Sequence, residues 1–258
     1  MFSPQLWQAP VVSEATFSQL PTLEEELEQH LRYIADKHKD VRFASSLAVE
    51  DMVITDAIAR LKLPIKVFTL STGKLHQETL ELLEETRQRY LDLQIEEFHP
   101  LEEAVRDFDT NHGMSSIYES LEQRKLCCGI RKIEPLNRAL EGADAWLTGQ
   151  RRSQSATRTE LPFEEKDEQR SIAKFNPIFA WEEDAVWAYV EAHKLPLNQL
   201  YKKGYPSIGC EPCTRPIKLS EDIRAGRWWW ENKDSKECGL HQQSSISNTN
   251  NDKESVGS

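Results

Sequence analysis

Five cysteines carry the chemistry available to this chain, and four of them fall in two close pairs. Cys127 and Cys128 are adjacent in KLCCGIRKIEPLNRAL, and Cys210 and Cys213 form a Cys-x-x-Cys in SIGCEPCTRPI. Neighbouring side chains leave the backbone in different directions, so a disulfide between Cys127 and Cys128 is strained. An odd cysteine count, in a reducing compartment, points to free, catalytic or metal-bound thiols rather than a disulfide framework. Cys-x-x-Cys alone suits a redox motif, zinc or an iron–sulfur centre. The adjacent pair helps to separate these. Zinc sites usually space their paired ligands by about two to four residues, whereas each iron of a 4Fe–4S cluster takes a separate thiolate. The two pairs therefore favour a 4Fe–4S cluster on Cys127, Cys128, Cys210 and Cys213 over zinc, and both over four unrelated buried thiols.

Cys238 stands apart in SKECGLHQQ, followed by Gly239 and a polar tail. A thiol on an exposed, mobile segment is open to oxidation and is a poor structural choice. It suits a nucleophile that enters a pocket and then meets a partner. Taken alone, an incidental surface thiol is the plainer reading.

Basic residues cluster at Arg131-Lys132, Arg151-Arg152 and Arg215 to Arg227, although the chain carries a net charge of −11. Such a charge disfavours non-specific binding to nucleic acid or anionic lipid. Local basic clusters on an acidic chain suggest a small anionic ligand, with solvated surface charge as the equal alternative for any one of them. No apolar run is long enough to span a membrane. The N-terminus lacks the basic and apolar regions of a secretory leader, so the expectation is a cytoplasmic protein.

Elements that must position these groups follow from periodicity. Residues 1–20 read as an irregular lead-in, and Leu23, Leu27, Leu31 and Ile34 then repeat with a helical period. Strand candidates VRFASS, IKVFTL, LQIEEF and DAWLTG alternate with helix candidates, including EDMVITDAIARL, HQETLELLEETRQRY and WEEDAVWAYVEAHKLP. That alternation predicts a mostly parallel sheet with helices on both faces. Residues 242–258 are polar and predict disorder. In open α/β sheets ligands bind beyond the carboxyl ends of the strands. There the loop SSLAVED offers the Ser45 and Ser46 hydroxyls and helix N-terminal N–H groups to a phosphate or sulfate, without a Walker A signature. Glu50 and Asp51 suit helix capping. Thr72-Gly73 could turn against a nucleotide or be an ordinary strand–helix turn. Trp228, Trp229 and Trp230 suit packing anchors better than an adenine platform. Glu78, Glu81, Glu84 and Glu85 read as a solvated helix face, and His76, His99, His112 and His193 show no metal-ligand spacing.

KLCCGIRK, GCEPCTRPI, GRWWWE and ECGLH together resemble the assimilatory adenylyl-sulfate reductases, within the wider adenylyl-sulfate and phosphoadenylyl-sulfate reductase family. The likeness runs from about Ser45 to His241, and TGQRRSQSATR resembles that family's arginine-rich loop. The resemblance implies a Rossmann-like α/β fold of the adenine nucleotide alpha hydrolase type. It would form one domain over 21–241, with a mobile catalytic segment at about 231–241. It implies a 4Fe–4S cluster on the four paired cysteines, Cys238 as nucleophile, and Lys132 between cluster and substrate. Arg158, Arg224 and Arg227, with Arg151 and Arg152 of the arginine-rich loop, would serve the phosphosulfate. Ser45, Ser46, Glu50, Asp51, Thr72 and Gly73 would hold the nucleotide. The implied reaction is reduction of adenylyl sulfate to sulfite and AMP through a Cys238 thiosulfonate. Thioredoxin or glutaredoxin would be the donor, and the protein a homo-oligomer. The rivals are phosphoadenylyl sulfate as substrate, an ATP-pyrophosphatase-type enzyme, and a metal- or cluster-bearing interaction module. Two positions depart from the family pattern: Ala48 replaces a glycine, with possible strain at positive φ, and Ser71 replaces an aspartate.

Overall fold

The computed structural model describes residues 5–154 and 158–231. Helix α1 spans Glu14–Lys37 and starts where the Ser13 side chain accepts the Thr16 N–H. Such a cap satisfies a donor that the first helical turn would leave orphaned. The irregular lead-in expected over residues 1–20 therefore ends at Ser13. Pro21 lies inside α1, whose Leu20, Leu27, Leu31 and Ile34 are buried.

Next come β1 (Val41–Ala44), α2 (Val49–Leu61), β2 (Ile65–Leu70), α3 (Gln77–Arg89) and β3 (Ile95–Phe98). Then follow α4 (Glu102–Asn111), α5 (Leu121–Cys128), α6 (Glu134–Ala139) and β4 (Ala145–Leu147). A hairpin of β5 (Glu164–Asp167) and β6 (Ile172–Phe175) leads to α7 (Glu183–His193). The six strands lie in the order β3-β2-β1-β4-β6-β5, all parallel except β5. Strand periodicity did not reveal β5 and β6, because EEKD is charged and IAKF is short. β5 is an edge strand, where charged residues are favoured because they discourage further pairing.

The main core packs Phe43 and Leu147 of the sheet against Leu31 of α1, Val53 and Ile54 of α2, and Val186 and Tyr189 of α7. On the opposite face, Leu136 and Ala139 of α6 pack on Phe68 and Trp146. Chain order reverses between β1 and β4, and this opens a crevice beyond their carboxyl ends. No helix among the described residues is long and apolar enough to cross a membrane.

Buried Asp56 ties three of these helices together. It accepts the Tyr90 hydroxyl from the end of α3 at 2.8 Å and the Tyr189 hydroxyl of α7 at 2.7 Å. Asp56→Ala leaves both hydroxyls without that acceptor and is expected to cost about 2–4 kcal/mol. Urea unfolding measures it, and a loss under about 1 kcal/mol would show that water replaces the carboxylate.

Candidate functional site

The crevice holds a cavity of about 270 Å³. Ala44, Phe68, Leu70, Leu136 and Trp146 form an apolar slot along it. Ser45, Ser46, Thr72, Thr148 and Gly149 supply polar groups from the ends of β1, β2 and β4. Lys132, Arg158, Arg224 and Arg227 also line it, as do Glu50, Asp51 and Arg151. An apolar slot continuous with hydroxyls and cations suits a nucleobase, a sugar and an anionic group.

Two expected positions lie elsewhere. Arg152 donates to the Leu161 carbonyl at 2.9 Å and lies over the Phe179 ring at 4.7 Å. Gly73 makes the turn after β2 at φ +71°, and a β-carbon there would meet an Arg131 nitrogen at 3.4 Å. Its part is to make this left-handed turn, not to line the cavity.

Left-handed backbone in the first loop falls on Leu47, at φ 61°. Ala48 is extended, at φ −69°, so the strain expected at Ala48 is absent. Leu47 is buried in the core, which holds the turn in place. Ser71 is buried, and its N–H donates to the Phe98 carbonyl at 3.0 Å.

Asp51 does more than sit in the first turn of α2. One of its oxygens accepts both the Ser46 N–H and the Ser46 hydroxyl, each at 2.6 Å, and Gly149 adds a backbone bond. A β-carbon on Gly149 would collide with Asp51, so glycine is required for the approach. Glu50 accepts Arg151 at 2.7 and 3.2 Å through one oxygen, and both are buried. The Arg151 guanidinium also reaches the Ser153 hydroxyl at 2.6 Å and the Trp181 carbonyl at 3.2 Å.

Among the described residues none of the four paired cysteines forms a disulfide; all are buried, and they line a second cavity of about 20 Å³. Cys127 and Cys128 close α5, and a π-helical turn over Gly129–Ile133 follows, in which the Glu134 N–H bonds the Gly129 carbonyl. Pro135, with no N–H, cannot continue ordinary α-helical bonding there, and π-turns recur at functional sites. Cys210 is bridged to Leu75, beyond the second loop, and its sulfur lies 3.3 Å from the Thr72 hydroxyl. Lys132 lines both cavities. Arg131 spans the gap behind it, donating to the Thr72 carbonyl at 3.0 Å and to Asp109 at 3.2 Å. Burial raises Cys127 and pushes Cys213 up to about 12, so these thiols stay protonated unless a metal displaces the protons. Among the described residues no three His, Cys, Asp or Glu side chains converge on one metal ion. Four buried thiols around one small pocket fit the donor set of a cluster, in which each iron takes a separate thiolate.

Trp228 lies 1% exposed between the two cavities, with Arg124 and Arg227 4.7 and 4.6 Å from its ring. Trp229 and Trp230 pack tilted and edge-on against Tyr118 instead, as packing anchors. Arg124 makes a two-pronged bond to Glu231, 2.8 Å on each prong, and the pair is buried. Cys238 lies outside the described residues. Sequence reasoning missed Trp7, Glu183 and Trp187, which line the cavity. Periodicity carries no signal for them. Thr148-Gly149 was missed as well, although it repeats the Thr-Gly of the β2 loop at the end of another strand.

A scan of family models matches the phosphoadenosine phosphosulfate reductase domain to residues 40–216. An adenosine 5'-phosphosulfate reductase of Neisseria meningitidis is 57% identical over 94% of this chain and 99% of its own length. One from Burkholderia cepacia is 56% identical over 84% of this chain and 86% of its own. A crystal structure of phosphoadenylyl-sulfate reductase from Candida auris superposes with TM-score 0.64 at 27% identity, covering 81% of this chain and all of that one.

Two outcomes test this geometry. Glu231→Ala strands a buried guanidinium and is expected to cost about 3 kcal/mol, seen in urea unfolding followed by tryptophan emission. The second concerns Asp51, whose carboxyl burial raises from 3.8 to about 7. A raised carboxyl stabilises the fold fully below the lower value and loses that as pH climbs through the higher one. The melting temperature of Asp51→Asn relative to the unaltered chain should therefore rise between pH 5 and pH 8, and a flat difference would contradict a buried, protonatable Asp51.

Proposed function

The chain belongs to the phosphoadenosine phosphosulfate reductase domain family, and on that premise we propose that it reduces adenylyl sulfate to sulfite and AMP. One observation carries the proposal: a nucleotide-sized cavity meets a pocket of four buried thiols, and Lys132 lines both. Similarity to proteins named adenosine 5'-phosphosulfate reductase supports adenylyl sulfate, rather than its 3′-phosphorylated form, as the substrate. The ATP-pyrophosphatase alternative requires a glycine-rich first loop, which SSLAVED lacks.

Adenylyl sulfate is a mixed anhydride of phosphate and sulfate. The Cys238 thiolate attacks the sulfur, the sulfur–oxygen bond to phosphate breaks, and AMP leaves with that electron pair. Cys238 then carries a thiosulfonate, so one hard step becomes two. A dithiol protein of the thioredoxin or glutaredoxin kind attacks the Cys238 sulfur and sulfite leaves. The donor's second thiol resolves the mixed disulfide, supplying two electrons in all. Thiolate and substrate are both anionic, so Lys132, Arg158, Arg224 and Arg227 hold them together, with arginine suited to phosphate and sulfate oxygens. Their field also lowers the pKa of the arriving Cys238. The apolar slot of Phe68, Leu70, Leu136 and Trp146 takes the adenine. Cys127, Cys128, Cys210 and Cys213 would hold a 4Fe–4S cluster, which when bound polarises the site beside Lys132. We propose further that the protein acts in the cytoplasm as a homo-oligomer.

The test is intact mass after anaerobic purification, with adenylyl sulfate and phosphoadenylyl sulfate in separate tubes. A sulfonate adduct is expected on Cys238 with the first, and none in Cys238→Ser. Iron is expected in the unaltered chain and lost in Cys213→Ser. Iron-replete protein forming no adduct with either compound would overturn the proposal.

A further inference from the structure

The lead-in before α1 reaches the cavity. Chain ends fray unless they are tied down, because ordering them costs conformational entropy. Here Leu6 pairs antiparallel with Lys218. The Trp7 N–H donates to the Ile217 carbonyl at 3.0 Å, and the Leu219 N–H donates to the Gln5 carbonyl at 3.0 Å. Gly204 makes room for this clasp, since at φ +86° a β-carbon on it would meet the Leu6 β-carbon at 3.0 Å. The clasp ends in a side chain of the cavity wall. Trp7 lines the cavity and packs on Trp187 and Tyr201, with ring centres 6.3 Å away in each case. Trp187 lines the cavity too, and the Tyr201 hydroxyl accepts the Val49 N–H of α2 at 2.8 Å. Phe68, Leu136 and Trp146 of the apolar slot belong to the opposite sheet face. Trp7 therefore adds a second apolar wall, on the side of the main core.

What the clasp grips is the loop that carries two of the site's cations. Residues 214–227 leave and return at one point, where Thr214 and Arg227 pair. The Arg215 N–H donates to the Gly226 carbonyl at 3.0 Å. Glu221 fills the interior, accepting the Arg215 guanidinium at 2.6 and 3.2 Å and the Lys218 N–H at 2.8 Å. A compact loop packed by its own side chains in this way needs a fixed point on the rest of the fold. Ile217, 1% exposed, supplies it. Its N–H donates to the Gly204 carbonyl at 2.8 Å, and its carbonyl accepts Trp7. Arg224 and Arg227 come later in the same loop and line the cavity with Trp7.

We propose that residues 5–7 are part of the ligand site, with Trp7 a binding residue and the clasp a positioning element for Arg224 and Arg227. This rests on the adenylyl-sulfate reading and adds to it the wall that faces the slot. Trp7 keeps water from that wall, and the attraction between cation and anion strengthens as the effective dielectric falls. Two arginines held in place before the ligand arrives need not be ordered when it binds, so less of the interaction is lost to entropy.

The experiment measures binding in a Cys238→Ser background, where adenylyl sulfate cannot form the adduct. Adenosine, AMP and adenylyl sulfate are followed by equilibrium dialysis, and iron is counted in the same samples. Leu219→Pro removes the N–H that reaches Gln5. It does so at the second position of a turn closed by the Glu221 N–H on the Lys218 carbonyl, a position that suits proline. The Leu219 side chain is exposed, so little packing is lost. This variant should weaken adenylyl sulfate relative to adenosine, which lacks the anionic end, by about tenfold. Trp7→Ala should weaken all three ligands by about fivefold or more, and Trp7→Phe should restore them. Iron content should match the background throughout. If Trp7→Ala does not fold, Leu219→Pro decides by the ratio of adenylyl sulfate to adenosine. Unchanged affinities in folded variants, or iron lost together with binding, would overturn the inference, since either marks the clasp as a support of the fold alone. A Cys238-intact chain that binds adenylyl sulfate but gains no sulfonate would overturn the adenylyl-sulfate reading itself, a result distinct from these.

Discussion

Glu50 meeting Arg151 is the contact on which the site depends, because it joins the two loops between which chain order reverses. Glu50 opens α2 after β1, and Arg151 follows β4. Burying such a pair is not a route to stability, since the desolvation of two ions consumes most of their attraction. What it supplies is position. With Asp51 bonded to Ser46 and Gly149, it sets the width of the crevice that any ligand must enter. The left-handed turn at buried Leu47 belongs to the same arrangement, as backbone strain of this kind persists where the surroundings over-determine it.

A second buried ion pair holds the other end of the site. Arg124 belongs to the helix that ends in Cys127-Cys128, and Glu231 closes the described part of the C-terminal segment. Their bond places Trp228 against the thiols, on a ring flanked by Arg124 and Arg227. The segment leading towards Cys238 is thereby fastened seven residues before it. For the nucleophile proposed at Cys238, an anchor seven residues away would limit the range of chain to be searched and so raise its effective concentration at the cavity.

Much of the sheet was legible because β1, β2 and β4 are largely apolar runs separated by helices, and parallel strands covered on both faces read that way. β5 and β6 were not, since an edge strand needs little apolar sequence and Lys174 is buried only with Glu165 and Gln150 as partners. The four thiols were legible from their pairing. Their neighbours split by chemistry. Arginines aimed at an anion and arginines aimed at a carboxylate look identical in sequence, so Arg151 and Arg152 read as ligands. The fold gives one to Glu50 and the other to Leu161 and Phe179. Likewise, carboxylates at a helix start read as caps until their partners are known.

Charge is therefore segregated along a single crevice. Carboxylates with internal partners occupy the α2 end, and Lys132 and Arg227 the thiol end. The net charge of −11 repels anions at long range, but that repulsion is screened beyond about 8 Å at physiological ionic strength. Inside the cavity the effective dielectric is lower and local charges dominate. In the function proposed above, that asymmetry would turn the anhydride end of the nucleotide towards the thiols. A cavity lined uniformly with cations would bind more anions and orient none of them. An uneven lining gives direction, which a displacement at a single sulfur atom requires.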